Sequence, residues 1–331
     1  MNVLNQALLE PHEAAALIAS GAYLAIAGDE AVLVGLPRGN WIGGTIAYFM
    51  AQEGGQTTRG KVFVTKLDTF GLTPTITQYD AQHVPSVCQD GPDNGYSLII
   101  LPAFSRIHYE FAKNAPMYED MYMKPLVGWI SGAHLDDLAT RKPKTLDGRT
   151  GELFEDRAVV LHVPLPDNIS VNVNIVNLFK QGSGDVIYFE KEGFSASTCV
   201  INQRPVSFAK YLKEMGHDTR LPLVADYNGA SVNVSFKAVN LQDATVDFYG
   251  PVFPKVAYRL ADSFHVDYEA AFVQACADLP EASFSCNCIL NYLYGELEGK
   301  HTGQVVGPMT FGEVAYQLLN QTMVQMTLEM H

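Results

Sequence analysis

Residues 170–178, Ser170-Val171-Asn172-Val173-Asn174-Ile175-Val176-Asn177-Leu178, carry the pattern that decides the fold class. In an extended chain Val171, Val173 and Ile175 fall on one side and Asn172 and Asn174 on the other, the period-two signature of a β-strand. The stretches on either side read the same way. From residue 126 onward, β-branched and aromatic residues mark strands at 126–130, 157–163, 185–190, 231–241, 245–249, 255–260 and 283–288. Helices are fewer. Pro11 and the alanine-rich run 13–19 predict one, stopped by Gly21 in the left-handed conformation. Further helices are expected at 45–52, at 105–113 with Ser105 as N-cap, at 206–215 ending on Gly216, at 268–279 and, briefly, at 290–297. Strands are expected at 23–27, 31–36, 61–66 and 97–101, with Gly28-Asp29-Glu30 as a hairpin turn. The tail 317–328 fits helix and strand equally. Helices and strands do not alternate regularly, so the pattern predicts an α+β protein with mixed or antiparallel sheets and flanking helices in two associated halves.

The chain has 331 residues, 47% of them hydrophobic, with 22 Lys and Arg against 36 Asp and Glu, a net charge of −14. This length suits about two domains with sizeable cores, and the apolar share excludes a disordered chain. The negative charge disfavours nucleic acid and anionic membrane surfaces as partners. The longest strongly apolar run, Leu98-Ile99-Ile100-Leu101, is a buried strand rather than a membrane span. Met1-Asn2-Val3-Leu4 does not read as a secretory leader, and five cysteines, an odd and sparse set, suit reduced thiols; the expected location is the cytoplasm.

Few constellations point to chemistry. Gly39-Asn40-Trp41-Ile42-Gly43-Gly44-Thr45 lacks a Walker lysine, but Arg38 beside it offers a forked donor for a carboxylate or phosphate, or else forms a surface ion pair. Cys286 and Cys288 face one side of a strand without the second ligand pair that structural zinc requires, so no metal site is predicted. A nucleophilic role for Cys286 needs a distant base such as His134 or His265. Gly132-Ala133-His134-Leu135-Asp136-Asp137 follows a strand, where His134 and Asp137 can face a ligand, or an aspartate can cap the next turn. His162 reads as a hydrogen-bonded sheet position. The polar stretch 138–152, with Arg141-Lys142-Pro143-Lys144, reads as a solvated loop.

Three elements in order, Phe284-Ser285-Cys286, then Gly307-Pro308-Met309-Thr310-Phe311-Gly312-Glu313-Val314, then Asn320-Gln321-Thr322, resemble the C-terminal part of the FIST domain family. Asn202-Gln203-Arg204-Pro205-Val206 resembles the segment entering that part, and Gly128 to Asp137 an element of the N-terminal half. Ile289 and Leu319 stand where the family often has arginine and histidine. The resemblance implies a FIST N-terminal-like domain over 1–195 and a C-terminal-like domain over 196–331, with a small-molecule pocket between them. It also implies an intracellular sensory module that binds small ligands, such as amino acids or small carboxylates, beside a separate signalling protein. Thr310 and Glu313 would hold an ammonium or hydroxyl group while Gly312 permits close approach, or the same residues form a scaffold turn. Asn320 belongs to a segment that closes a sheet through side-chain-to-backbone bonds. Some members bind haem, but no motif singles out an axial ligand here, so no cofactor is predicted.

The expected function is therefore non-catalytic small-molecule sensing, with Arg38, His134, Asp137, Cys286, Thr310, Glu313 and Asn320 lining the pocket and a chain of this length acting through a separate partner. The rivals are a thiol- or acid/base-dependent hydrolase using Cys286 with His134, and a structural or assembly protein that uses exposed sheet edges.

Overall fold

The computed structural model describes residues 5–227, 230–262 and 267–331. The readings on residues 1–4 and on His265 fall outside the described residues. In chain order the first half forms β1 (Gln6–Leu9), α1 (Pro11–Ala19), β2 (Leu24–Gly28), α2 (Glu30–Leu33), β3 (Trp41–Thr45), β4 (Tyr48–Ala51), β5 (Gly54–Thr57) and β6 (Val62–Lys66). It continues with β7 (Thr75–Tyr79), β8 (Gly95–Pro102), α3 (Arg106–Asn114), β9 (Leu126–Ser131), β10 (Thr145–Asp147), β11 (Glu152–Phe154), β12 (Ala158–Pro164) and β13 (Ile169–Asn177). Helix makes up 17% and strand 42%, in mixed and antiparallel sheets, so the fold is α+β.

Contacts group the chain into two units. The first comprises residues up to Val176, Tyr268–Leu318 and Met323–His331; the second comprises Asn177–Asp267 and Leu319–Thr322. This grouping differs from the expected boundary between 195 and 196. The strand Gly307–Thr310 pairs with β4, and Glu313–Ala315 pairs with β9, which ties these distant residues to the first unit.

The first unit holds three six-stranded sheets. One runs β1-β6-β2-β3-β10-β11, with Ala14 and Ile18 of α1 packed on Leu24, Ile26, Trp41 and Val64. The second runs from Gln317–Leu319 through Glu313–Ala315, β9, β8 and β12 to β7. The third runs β13, Thr322–Met330, Phe284–Cys288, Gly307–Thr310, β4, β5. Each contains one parallel pair, β2–β3, β8–β9 or Phe284–Cys288 with Gly307–Thr310, and a helix lies between the paired strands in sequence. Parallel neighbours require such a crossover. In the second unit, Phe208 and Leu212 of α4 (Phe208–Met215) pack with Phe189, Phe236, Phe248 and Tyr258.

Local expectations are corrected by these pairings, among them the strand expected at 31–36, where the chain instead forms α2 and a turn. Gly28-Asp29-Glu30 is not a hairpin turn: the Asp29 carboxylate accepts from Ala31 N at 3.1 Å and caps α2, which carries the chain over to the parallel strand β3. Residues 45–52 are not a helix, because β4 finds β5 on one edge through the Gln52-Glu53 turn and Gly307–Thr310 on the other. The tail forms strands, and α1, the Ser105 cap of α3 and the stop at Gly216 stand as the sequence predicts. Among the described residues no helix is long and apolar enough to cross a membrane.

His162 occupies the buried sheet position expected of it. Its Nδ1 lies 2.7 Å from Ser97 Oγ and its Nε2 3.0 Å from Tyr79 Oη, which in turn donates to Asp90 at 2.9 Å. Burial pushes its pKa down to about 4, so the native state holds it neutral while the unfolded chain takes up a proton near pH 6.5. The linkage sign follows. As pH falls from about 6.5 to about 4 the unfolded state binds the extra proton and stability declines, by at most about 1.4 kcal/mol per pH unit for one histidine. His217, also pushed down by burial, adds in the same direction. Denaturant melts between pH 7 and pH 5 should show this decline, and His162→Gln should flatten it.

Candidate functional site

Leu98, Ile99, Ile100 and Leu101 of β8 and Leu126, Val127 and Ile130 of β9 are fully buried. The two strands run parallel in the register Ser97↔Leu126 to Pro102↔Ser131, so their carboxyl ends lie side by side. The loops that leave those ends diverge, which is the usual place for a ligand crevice in sheets containing parallel strands. Here they bound a cleft of about 400 Å³, within the range of small-molecule sites. Its apolar lining is Ala103, Phe104, Leu138 and Pro143; its charged lining is Arg106, Arg141, Lys142, Glu155 and Asp156.

Local chemistry fixes this lining. Phe104 takes the left-handed conformation, φ +61°, which a bulky side chain adopts only where its surroundings impose it. Its N–H donates to His108 Nδ1 at 3.2 Å, and its ring meets Phe311 edge-on at 6.0 Å between centroids. The first turn of α3 is satisfied from two directions. Ser105 Oγ accepts from His108 N at 3.2 Å, and Asp156 Oδ1 accepts from Ile107 N at 3.0 Å. Lys142 pairs with Glu155 at 2.9 Å, and Arg141 lies 3.6–3.7 Å from Asp137 and Asp29. Arg106 differs from both: it makes no ion pair among the described residues and starts a helix, where the backbone dipole disfavours a cation.

Two predicted residues lie beside this cleft. His134 caps the short turn Leu135–Asp137, its Nδ1 accepting from Asp136 N at 3.3 Å, and its ring stacks on Tyr48 at 5.5 Å. It is thus the histidine, not an aspartate, that caps the turn. Asp137 receives both terminal nitrogens of Arg59, at 2.6 and 3.2 Å, and this guanidinium holds its carboxyl below the usual range. Arg141 lines the cleft and also a smaller depression shared with His134 and Asp137, and so connects the two.

The other predicted residues are elsewhere. Thr310, Glu313 and Cys286 are buried in the first unit. Thr310 Oγ1 lies 3.0 Å from Gly312 O, 3.3 Å from Asn287 O and 3.4 Å from Glu313 Oε1. Cys286 donates its thiol to Gly128 O at 3.4 Å. Arg38, exposed, precedes β3 and lies against Gly151, whereas His134 and Asp137 sit beside Thr45 at the opposite end of that strand. Asn320 belongs to the second unit, where Asn233 donates to its carbonyl at 3.1 Å and its own amide donates to Leu319 O at 3.0 Å. The six of these residues that belong to the first unit therefore do not converge. Polarity marked them, but Thr310 and Asn320 spend it on internal hydrogen bonds.

The model of a family of unknown function, DUF6976, matches residues 9–329. The chain belongs to that family. No curated protein matches it. Membership in DUF6976 assigns no activity, so the chemistry has to come from the cleft.

Sequence reasoning missed Arg106, Phe104 and Leu138, and placed Arg141 and Lys142 on a plain solvated loop. A signal was present: a four-residue apolar strand core, a serine cap and then a basic first helical residue. Among the described residues no group of three or more His, Cys, Asp or Glu side chains could hold a metal ion. The cleft sets three cations and two carboxylates beside apolar side chains, and with Lys142 paired to Glu155 it is suited to holding an anionic group with a hydrocarbon part.

A Cys286–His134 catalytic pair has no support in this geometry. The Cys286 thiol is fully buried, and burial, then the nearby Glu313 and Cys288, push its pKa well up, so it is not a thiolate at neutral pH. The other cysteines are buried as well, with Cys88 and Cys276 raised to about 11 and Cys199 to about 12. Ellman-type labelling of the native protein at pH 7.5 should be negligible and should reach all five thiols only in denaturant. Rapid native alkylation at Cys286 would restore the hydrolase reading.

Proposed function

We propose that this DUF6976 protein is a non-catalytic binder of a small carboxylate-bearing molecule, amino acids included, and that the ligand sits in the cleft at the carboxyl ends of β8 and β9. The observation that carries the reading is the position of Arg106. It is a cation without an ion-pair partner among the described residues, on the first turn of a helix, at the mouth of a cleft of about 400 Å³. Asp156 already meets the helix end, so a bound carboxylate would supply the charge that this guanidinium lacks, and Arg141 adds a second forked donor. Phe104, Leu138 and Pro143 would cover the apolar part of the ligand. The sensory role, exercised through a separate signalling protein in the cytoplasm, is supported by the resemblance of the C-terminal motifs to the FIST family.

Thermal shift followed by calorimetry over amino acids and small mono- and dicarboxylates tests this. A ligand at a hundredfold its Kd stabilises the fold by about 2.7 kcal/mol, which is readily seen as a rise in Tm. Loss of one charge-assisted hydrogen bond weakens binding by about 1.5–3 kcal/mol, so Arg106→Gln should reduce affinity roughly ten- to a hundredfold. Leu138→Trp, which fills the cleft from an exposed position, should abolish binding without lowering Tm. A hit that ignores both substitutions moves the site elsewhere.

A further inference from the structure

The strand that decides the fold also forms a sheet edge. β13 is nine residues long, the longest of the edge strands among the described residues, and pairs only with Thr322–Met330. Residues 170–176 make no backbone–backbone hydrogen bond outside the sheet among the described residues, so the outer donors and acceptors of this stretch have no backbone partner there. Exposed edges are normally guarded by charge, proline or a bulge, because an unpaired ladder templates another strand. Residues 170–178 contain no charged residue, no proline and no glycine in a chain of net charge −14. Asn172 and Ile175 are exposed, Ile175 at 44%.

We infer that two copies of this chain associate edge to edge through β13, antiparallel about a two-fold axis at Val173. The sequence is self-complementary in that register. Val173 meets its own copy, Val171 meets Ile175 of the second copy, and Asn172 meets Asn174. At the centre of the contact apolar side chains thus face apolar ones on one surface of the joined sheet and amides face amides on the other, with Ser170 against Val176 and Ile169 against Asn177 towards its ends. A closed two-fold contact of this kind stops at the dimer, whereas other pairings of an open edge would propagate. Charge selects the same place. Two copies each carrying −14 repel over most of their surfaces, and an uncharged ladder is where they approach at least cost.

Sedimentation velocity over the micromolar range should show a concentration-dependent dimer. Val173→Lys, which sets two ammonium groups against each other on the axis, should give a monomer with an unchanged far-ultraviolet circular dichroism spectrum. Because Val173 is half-buried, Val173→Cys gives a second measure that preserves size. Under mild oxidation it should form an intermolecular disulfide, while Asn172→Cys, offset from its own copy, should not. A wild-type protein that stays monomeric throughout, a dimer that survives Val173→Lys, or cross-linking that favours position 172 would each overturn the inference.

Discussion

The first unit depends on one requirement: the backbone of β8 and β9 is buried, and every N–H and C=O along it needs a partner. β8 is apolar through its centre and meets this by pairing with β9 on one side and β12 on the other. Because β9 is parallel, the chain has to return to the starting edge before it can enter that strand, and α3 performs the return. The crossover begins and β9 ends at the same edge of the sheet, so two loops diverge there. The cleft is a consequence of how the backbone is satisfied and exists whatever ligand enters it.

The charges around the cleft follow a similar logic. Asp156 and Ser105 occupy the donors of the α3 first turn, Glu155 neutralises Lys142, and Asp137 is shared between Arg59 and, at longer range, Arg141. What remains is Arg106, outside any ion pair among the described residues, beside apolar side chains in a protein that is strongly acidic as a whole. A local positive site within a negative envelope favours small anions that penetrate it over extended polyanions, which the envelope repels.

Much of the fold was legible because its signals are local. Pro11 and Gly21 bound α1, Ser105 caps α3, and the unbroken apolar run of β8 and the alternation of β13 read directly as strands. The misreadings fall where pairing at a distance overrides local preference. Residues 45–52 have a helix-compatible composition, but Gly307–Thr310, far along the chain, supplies an edge that makes strand β4 the better state. The candidate site shows the same division. His134 and Asp137 stand out by residue type and lie next to the cleft, whereas Thr310 and Glu313 stand out equally and are interior. Residue type does not reveal whether a polar group is aimed at a ligand or at a backbone carbonyl.

By itself the sequence determined the strand-dominated class, most of the helix ends and the absence of charge along 170–178, since each depends only on side chains within a few positions. The tertiary structure alone decided which strands became parallel neighbours, that the 268–318 segment belongs with the first unit, and that Arg106, Arg141 and Leu138 share one cleft. Those outcomes rest on hydrogen bonds and packing between residues separated by dozens to hundreds of positions, and no local pattern of side chains encodes such a partner.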